Sequence, residues 1–336
     1  MRSFLIFLKR IYIYFFSFNL FLSLNQNKKK ILIYPERLGF GDHIVFCLIF
    51  YDQIKQKNNY LFCYDEMGYN VGKFFFPQEK IVKSFFFLKN SYKILFLNAL
   101  KNYKFFKARS INKGNDKFSG YQQLANLNSK KLVLKKLNQK KIQKKIIHFS
   151  KKKYLTFYLK HFHSDKNRLI PSLRQTSNLK KVFKIIKYIV INKKTNLLIL
   201  AQRNELSYKV LKKYVKEKKL SKRIYFLDDL SEDYNMNDQI LLARNSIGFL
   251  GNHSGAEVIY ALLGKKLLIY DAAFKIILNK FNKKKNYNYF FKKILFKKKS
   301  LVLTIENLNK LKNTNYNIQE VSEKRIINSI SKIFQL

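Results

Sequence analysis

Short apolar runs alternate with longer amphipathic stretches from residue 30 onward, and this pattern predicts an α/β fold. The apolar runs predict buried strands at 31–34, 60–64, 154–159, 197–200, 223–227, 246–250 and 266–270. Between them, apolar residues recur at helical spacing at 43–55, 179–190, 206–219, 238–244 and 256–263. Strands that alternate with helices predict a parallel, doubly wound sheet.

The pattern occurs in two series, which predict two Rossmann-like domains facing each other across a cleft. We expect the first domain over residues 29–150 and the second over 151–336. Less regular strands are expected at 81–87 and 94–97. The Lys-dense stretch 129–153 has apolar residues at roughly helical spacing, and we interpret it as a solvated helical connector between the two domains.

The amino terminus is strongly apolar. Residues 3–24 are almost wholly hydrophobic, but their uninterrupted part, 11–24, is shorter than the ~20 residues that a membrane-spanning helix needs. No small-residue cleavage site follows. Residues 1–28 therefore predict a hydrophobic helix lying on a membrane surface, with packing on the protein body or a true span as alternatives. We expect a cytoplasmic protein, peripheral at the inner face of the cytoplasmic membrane.

The large net charge of the chain is weaker evidence about its function than its magnitude suggests. The 336 residues include 68 Lys plus Arg and 20 Asp plus Glu, a formal net charge of +48. Such a charge is typical of proteins that bind nucleic acid or an anionic membrane. However, the excess is mostly Lys, accompanied by many Asn, Ile, Phe and Tyr, the residues of A/T-rich codons. We attribute much of the charge to drift in an AT-rich bacterial genome, with a selected polyanion-binding surface as the alternative, so the scarce Gly, Arg, Asp, Glu and His residues are more informative. The basic, aromatic segment 275–299 has three interpretations: it binds single-stranded nucleic acid, it binds a membrane surface, or it is a plain loop.

The first loop of interest, 37–43, connects the first strand to the first helix. Ligands bind at the carboxyl ends of the strands in a parallel α/β sheet. Asp42 could therefore act as a general base, or it could simply cap the helix. His43 is expected on the surface of the first turn. The candidate residues on this side are Arg37, Gly39, Gly41, Asp42 and His43.

The second loop, 248–257, lies between a strong strand and a strong helix. Small residues at the start of a helix present backbone N–H groups to an anion, and the helix dipole adds attraction for phosphate. Ser254 could donate to a phosphate oxygen or cap the helix, and Glu257 could reach a ribose hydroxyl or complement the dipole. The candidate diphosphate site comprises Asn252, His253, Ser254, Gly255 and Glu257.

The third segment, 160–168, follows the first strand of the second series and is rich in His and basic residues. Arg or protonated His near a diphosphate stabilises the charge that develops as it leaves. No Cys or carboxylate stands at a ligand spacing from the two histidines, so the pattern does not predict zinc. The candidates are His161, His163, Ser164, Arg168 and Arg174, with a polar surface loop as the alternative.

The three loops, in this order, resemble bacterial GT-B glycosyltransferases of the heptosyltransferase type and related surface-carbohydrate transferases. The resemblance covers roughly 30–60 and 153–275, including Gly41-Asp42, the segment 161–168, the turn 251–255 and the stretch 261–265. It implies that Asp42 is the catalytic base. His253 stands where heptosyltransferases carry Asp, and Val258 where they carry His, so the resemblance moves toward the broader surface-carbohydrate group.

The resemblance implies transfer of a sugar from a nucleotide-sugar donor to a hydroxyl of a surface glycan or glycolipid, with inversion. Arg168 or a nearby His would assist the leaving group, so neither a metal nor a cofactor is expected. An anionic membrane surface is an expected partner, and nucleic acid is the less favoured one. A nucleic-acid-binding protein, a sugar-nucleotide epimerase of the same architecture and a non-catalytic homologue remain alternatives.

Overall fold

The computed structural model describes most of the chain in two compact units, Met1–Lys136 and Leu137–Leu336. The described residues are 31–33, 40–57, 59–63, 66–83, 127–159, 178–200, 206–231, 235–252, 254–272, 286–296, 299–302, 315 and 317–336. The predicted amino-terminal hydrophobic helix and the predicted strand at 94–97 lie outside them. Among the helices that are described, none has both the length and the apolar character needed to cross a membrane.

The described part of the first unit is a small parallel α/β arrangement. Its strands, paired in the order β1-β2-β3, are β1 Ile31–Ile33, β2 Asn59–Cys63 and β3 Ile81–Lys83. Its helices are α1 Phe40–Ile49, α2 Tyr51–Ile54, α3 Glu66–Phe75 and α4 Leu127–Lys136. Helix α1 packs on α3, and α3 packs on β2 and β3, with apolar side chains buried in both helices. The single helix predicted at 43–55 is therefore two helices, the first of which begins at Phe40, earlier than expected.

A six-stranded parallel sheet organises the second unit. Its strands are β4 Tyr154–Tyr158, β5 Asn196–Leu200, β6 Ile224–Phe226, β7 Gly248–Gly251, β8 Lys266–Ala272 and β9 Tyr287–Phe291. They pair in the order β6-β5-β4-β7-β8-β9, and every pair is parallel. Numbered within the unit, the order is 3-2-1-4-5-6, the doubly wound arrangement in which the strand order reverses between the first and the fourth strand. The prediction of a parallel α/β fold is confirmed.

Helices cover both faces of this sheet. They are α5 Lys144–Ser150, α6 Leu179–Lys187, α7 Leu206–Glu217, α8 Leu227–Leu230, α9 Met236–Asn245, α10 Glu257–Leu262 and α11 Glu323–Phe334. One face of β4, β5 and β8 packs against α6, α7 and α11 in a continuous apolar core. Because their other face is covered too, β4, β5 and β8 have nearly continuous apolar sequences, as strands buried on both sides do.

The carboxyl-terminal part adds structure that the sequence pattern did not predict. Three short antiparallel strands pair in the order β11-β10-β12: β10 Lys293–Phe296, β11 Lys299–Val302 and β12 Asn317–Gln319. Strands β9 and β10 lie within the basic, aromatic segment 275–299. The described part of that segment is therefore folded into sheets rather than forming a plain loop.

The Lys-dense stretch 129–153 is not one solvated connector. Helix α4 belongs to the first unit, whereas residues from Leu137 onward pack in the second. The backbone N–H of Asn138 donates to Asn237 Oδ1 over 2.9 Å, and the N–H of Gln143 donates to Asp238 Oδ1 over 3.0 Å. Burial of apolar side chains in α5 reinforces these bonds. The contacts thus divide the chain after residue 136, whereas the sequence pattern placed the division at 150.

Helix α11 packs along the sheet through one apolar face. Ile326, Ile330 and Phe334 are buried, and Phe334 lies against Gly248 at the amino end of β7. A Cβ atom on Gly248 would lie 2.5 Å from the backbone oxygen of Lys266 and 2.5 Å from the Phe334 ring. Real Cβ atoms do not approach other atoms so closely, so this position requires glycine.

Gly248→Ala is expected to destabilise the second unit, because the added methyl forces α11 or β8 to move. Overpacking of this kind costs about 1–3 kcal/mol. The free energy of unfolding in urea measures it, with Asn245→Ala, at the exposed end of α9, as a control expected within ~0.5 kcal/mol of wild type. An unchanged free energy for Gly248→Ala would contradict the packing described here.

Candidate functional site

The candidate site lies where β4 and β7 run side by side. The strand order reverses between these two strands, and in doubly wound sheets ligands bind outside the carboxyl ends of the strands at that point. The predicted donor-binding segments 160–168 and 252–257 follow β4 and β7 directly. The sheet topology therefore brings the starting points of both segments to one place, which the sequence alone did not determine.

Gly251 allows β4 and β7 to approach closely at their carboxyl ends. It pairs with Tyr158, and a Cβ atom on Gly251 would lie 2.3 Å from the Tyr158 carbonyl oxygen. The next backbone N–H, of Asn252, donates to that same oxygen over 3.3 Å. A residue with a side chain at 251 would have to separate the two strands, so the site depends on this glycine.

Asn252 ties the end of β7 to the neighbouring strand on its other side. Its side chain is fully buried, and Nδ2 donates to the carbonyl oxygen of Tyr270 in β8 over 3.5 Å. Because its backbone N–H binds β4, this one residue contacts the ends of two strands. We therefore assign Asn252 a role in holding the edge of the sheet.

The turn after β7 is closed by its own side chains. The N–H of Ser254 donates to Glu257 Oε2 over 3.2 Å, and the N–H of Ala256 donates to Ser254 Oγ over 3.3 Å. These two bonds close the turn just before α10, whose N-cap residue is Ala256 and receives no side-chain cap bond. Ser254 Oγ and the Glu257 carboxylate therefore both accept from the backbone of the turn. A hydroxyl that accepts can also donate its own hydrogen, so this arrangement is compatible with a bond from Ser254 to a ligand oxygen.

A hydrogen-bonded series of three buried hydroxyls connects the elements on either side of the turn. Tyr260 of α10 donates to Thr156 Oγ1 of β4 over 3.0 Å, and Thr156 donates to Ser246 Oγ over 3.1 Å. Ser246 in turn donates to the carbonyl oxygen of Gly248 over 2.7 Å. Burial raises the pKa of the Tyr260 hydroxyl, so it remains a protonated donor. The chain joins α10 to β4 and β7, the elements that position the site.

The loop of the first unit is only partly described. Helix α1 begins at Phe40, so Asp42 lies inside its first turn and does not precede the helix as an N-cap residue does. Gly41 is buried, and His43 is only 2% exposed, so the expectation that His43 lies on the surface is wrong. Arg37, Gly39 and the Asp42 side chain lie outside the described residues. The proposed base role of Asp42 stays a prediction.

Several other predicted residues also fall outside the described part of the chain. These are His161, His163, Ser164, Arg168, Arg174 and His253. Their roles stay predictions. Within the described residues, no group of three or more His, Cys, Asp or Glu side chains is arranged to hold a metal ion.

Comparison with known proteins finds relatives only among solved structures. No protein-family model matches the chain, and no curated protein matches it by sequence.

The matching structures include glycosyltransferases and epimerases. E. coli ADP-heptose lipopolysaccharide heptosyltransferase II shares 8% identity, with 91% of this chain and 98% of that chain covered, at a TM-score of 0.47. A glycosyl transferase family 9 protein from Veillonella parvula shares 10% identity over 91% and 97% of the two chains, with a TM-score of 0.46. A putative UDP-N-acetylglucosamine 2-epimerase from Listeria monocytogenes shares 11% identity over 91% and 88%, with a TM-score of 0.49.

Heptosyltransferases are thus among the structural neighbours of this chain, as the sequence resemblance predicts, and epimerases accompany them. At these identities a likeness concerns the fold alone, and TM-scores under 0.5 lend no weight to either activity. The case for a function therefore depends on the residues and the topology of the site.

Sequence reasoning missed a group of charged side chains near this edge. Lys181 in the first turn of α6 contacts Asp271, at the carboxyl end of β8, and Glu320, just before α11. Burial is the main cause that raises the pKa of Asp271 above its usual range, and Lys181 opposes it. The available signal was a carboxylate at the end of the apolar strand 266–272, but its partners are distant in sequence.

Thr156→Val is expected to destabilise the second unit by about 1–3 kcal/mol, because it leaves the buried Tyr260 hydroxyl without its acceptor. Tyr260→Phe removes the other partner. The double variant should lose less than the sum of the two single losses, since both members of the bond are then absent. Urea unfolding of the four proteins measures this cycle, and strictly additive losses would contradict the hydroxyl chain.

Proposed function

We propose that this chain is a glycosyltransferase of GT-B-like architecture. It moves a sugar from a nucleotide-sugar donor to a hydroxyl of a surface glycan or glycolipid, the donor bound by the second unit and the acceptor mainly by the first. One observation carries the proposal: the strand order reverses between β4 and β7, and both predicted donor segments begin at that point.

The donor diphosphate is bound at the turn after β7 and by the segment after β4. Ser254 donates its hydroxyl hydrogen to a phosphate oxygen, and Gly255 lets the backbone approach the ligand. Basic side chains of the segment after β4 neutralise the diphosphate: His161, His163, Arg168 and Arg174. Asn252 and Glu257 hold the shape of this binding surface, because both are buried and bonded to the backbone.

The reaction requires a base and a stabilised leaving group. Asp42 accepts the proton of the acceptor hydroxyl, whose oxygen attacks the anomeric carbon as the bond to the diphosphate breaks, with inversion. Arg168 stabilises the negative charge that develops on the departing diphosphate, without a metal or cofactor. Arg37, Gly39 and Gly41 form the acceptor side of the loop, and His43 supports it from inside because its side chain is buried.

A lipid-linked acceptor would favour an enzyme that works at the inner face of the cytoplasmic membrane. The hydrophobic residues 3–24 and the excess of Lys suit an anionic membrane surface that carries a lipid-linked acceptor. We propose peripheral attachment, with the donor taken from the cytoplasm.

Calorimetry with ADP-, UDP- and GDP-sugars tests donor binding. Ser254→Leu should weaken binding by ~10-fold or more, equivalent to ~1.4 kcal/mol, because it removes the donor hydroxyl and adds bulk at the diphosphate. Ser221→Leu is the matched control, since Ser221 is exposed and lies just before β6, at the amino ends of the parallel strands. Equal effects of the two substitutions would count against the proposed site.

Asp42→Asn tests the base. It should retain donor affinity and lower turnover by ~10²–10⁴-fold, because only proton removal is lost. Retained turnover would contradict the assigned role.

Incubating the donor with wild type and no acceptor separates a transferase from an epimerase. NMR of the sugar should show an unchanged configuration at its stereocentres, whereas an epimerase would invert one. If wild type binds no nucleotide or nucleotide-sugar, the proposed function fails.

A further inference from the structure

Four charged side chains lie together where β8 ends and α11 begins, and we call them the buried ion cluster: Lys181, Asp271, Lys292 and Glu320. Lys181 and Lys292 are each 4% exposed, and Asp271 is not exposed at all. Glu320 is the least buried, with 16% of its side chain exposed. Charged residues are almost never this deeply buried unless they are paired, so their contacts need an explanation.

Lys181 is the centre of the buried ion cluster. Its Nζ lies 2.6 Å from Asp271 Oδ2 and 2.7 Å from Glu320 Oε2, and it donates to the Val321 carbonyl oxygen over 3.2 Å. The other oxygen of Asp271, Oδ1, accepts from the N–H of Val321 over 2.8 Å. Lys292 Nζ lies 3.8 Å from Glu320 Oε1. These contacts tie α6, β8 and the chain entering α11 to one another.

The backbone of Asp271 is in an unfavourable conformation. Its φ is +51°, in the left-handed region, which is uncommon for a non-glycine residue, although Asp enters it more readily than most. The pairing of β8 with β9 also shifts register between Ile269 and Ala272. Such strain persists only where the surroundings enforce it, and it concentrates at functional sites. Here the enforcing contacts are the bonds that its carboxylate makes to Lys181 and Val321.

The buried ion cluster is joined to the candidate site through the residue next to Asp271. The carbonyl oxygen of Tyr270 accepts from Asn252 Nδ2, and Asn252 begins the turn after β7. The Tyr270 ring packs at 5.7 Å from Lys181 Nζ and at 6.4 Å from the ring of Phe157 in β4. A displacement of Asp271 would therefore move Tyr270 and change the support of Asn252.

Stabilisation alone does not account for the buried ion cluster. Desolvation of buried ion pairs is costly, and apolar residues of similar volume often replace them without loss of stability. Helices α6 and α11 are also joined at the surface by Lys184 Nζ and Glu323 Oε1, 2.6 Å apart. The buried contacts of Lys181 are therefore not needed merely to join α6 to the start of α11. Their directional bonds have a separate role if they fix the end of β8.

We propose that the buried ion cluster is a positioning element for the nucleotide site. Lys181 and Asp271 hold the carboxyl end of β8 in its left-handed conformation and, through Tyr270 and Asn252, hold the turn after β7 ready to bind the donor diphosphate. They touch neither the nucleotide nor the sugar. This inference rests on the proposed function, because it assigns the nucleotide to that turn.

Paired substitutions on one helix test the role. Lys181→Met removes the buried contacts of Lys181 with Asp271 and Glu320, whereas Lys184→Met removes only the exposed contact with Glu323. Calorimetry with ADP and with UDP, well below the unfolding temperature, should show ~10-fold weaker binding for Lys181→Met, within the range of coupling between linked sites. Lys184→Met should stay within ~2-fold of wild type, as expected for a surface ion pair.

A double variant separates positioning from stability. Lys181→Met leaves the Glu320 carboxylate without its closest cation, and Glu320→Gln in the same chain removes that charge. The double variant should regain part of the free energy of unfolding lost by Lys181→Met, while nucleotide affinity stays low because Asp271 still lacks Lys181. A purely structural role predicts that stability and affinity return together, and that result would overturn the proposal.

Hydrogen exchange supplies a readout that needs no ligand. Amides at 250–252 and 268–272 should exchange faster in Lys181→Met than in wild type and stay unchanged in Lys184→Met. If wild type binds neither nucleotide, the proposed function fails. The hydrogen-exchange rates alone then decide whether the buried ion cluster orders the carboxyl ends of β7 and β8. If wild type binds nucleotide and the two Lys variants match it in affinity and exchange, the positioning role is wrong and the proposed function stands.

Discussion

The close parallel pairing of β4 with β7 is the constraint on which the second unit depends. These strands are adjacent although two other strands, β5 and β6, lie between them in the sequence, so the strand order must reverse there. Their contact is tight enough that Gly251 has no room for a side chain beside Tyr158. A pair held at this distance gives the segments after both strands a common starting point, and that is what makes a single binding site possible.

The two faces of the sheet support this edge by different physical means. On the face covered by α10, a chain of hydroxyls runs from Tyr260 through Thr156 to Ser246, and each bond replaces one that water would have supplied. On the face covered by α6 and α11, the support is ionic and connects Lys181 with Asp271. Both sets of bonds are directional. The apolar core supplies most of the burial, but it does not by itself fix the orientation of a strand end.

Sequence pattern predicted the strands and helices of the second unit well where side chains are buried on both faces. Strand β8, for example, has an uninterrupted apolar run at 267–270, because a parallel sheet covered by helices has no polar face. The pattern failed where Lys and Asn interrupt it. Strand β9 lies among basic and aromatic residues, and α11 carries its apolar residues at helical spacing in a tail beyond the ranges that the family resemblance covers. The connector was misassigned because Lys content does not distinguish a solvated helix from one with a single buried face.

Where apolar residues recur without interruption, the sequence by itself determined which segments are strands and helices, and which connections carry Gly, Ser and Asn at the end of a strand. Local spacing is sufficient for that, because burial of one face or both imposes a period on the residues involved. Only the tertiary structure decided the lateral order of the strands and the partners of the buried charges. Lys181 and Asp271 are separated by 90 positions, and no local pattern relates them. Their contact depends on how the strands order across the sheet and on the exclusion of water around both groups, which exist only once the chain has folded.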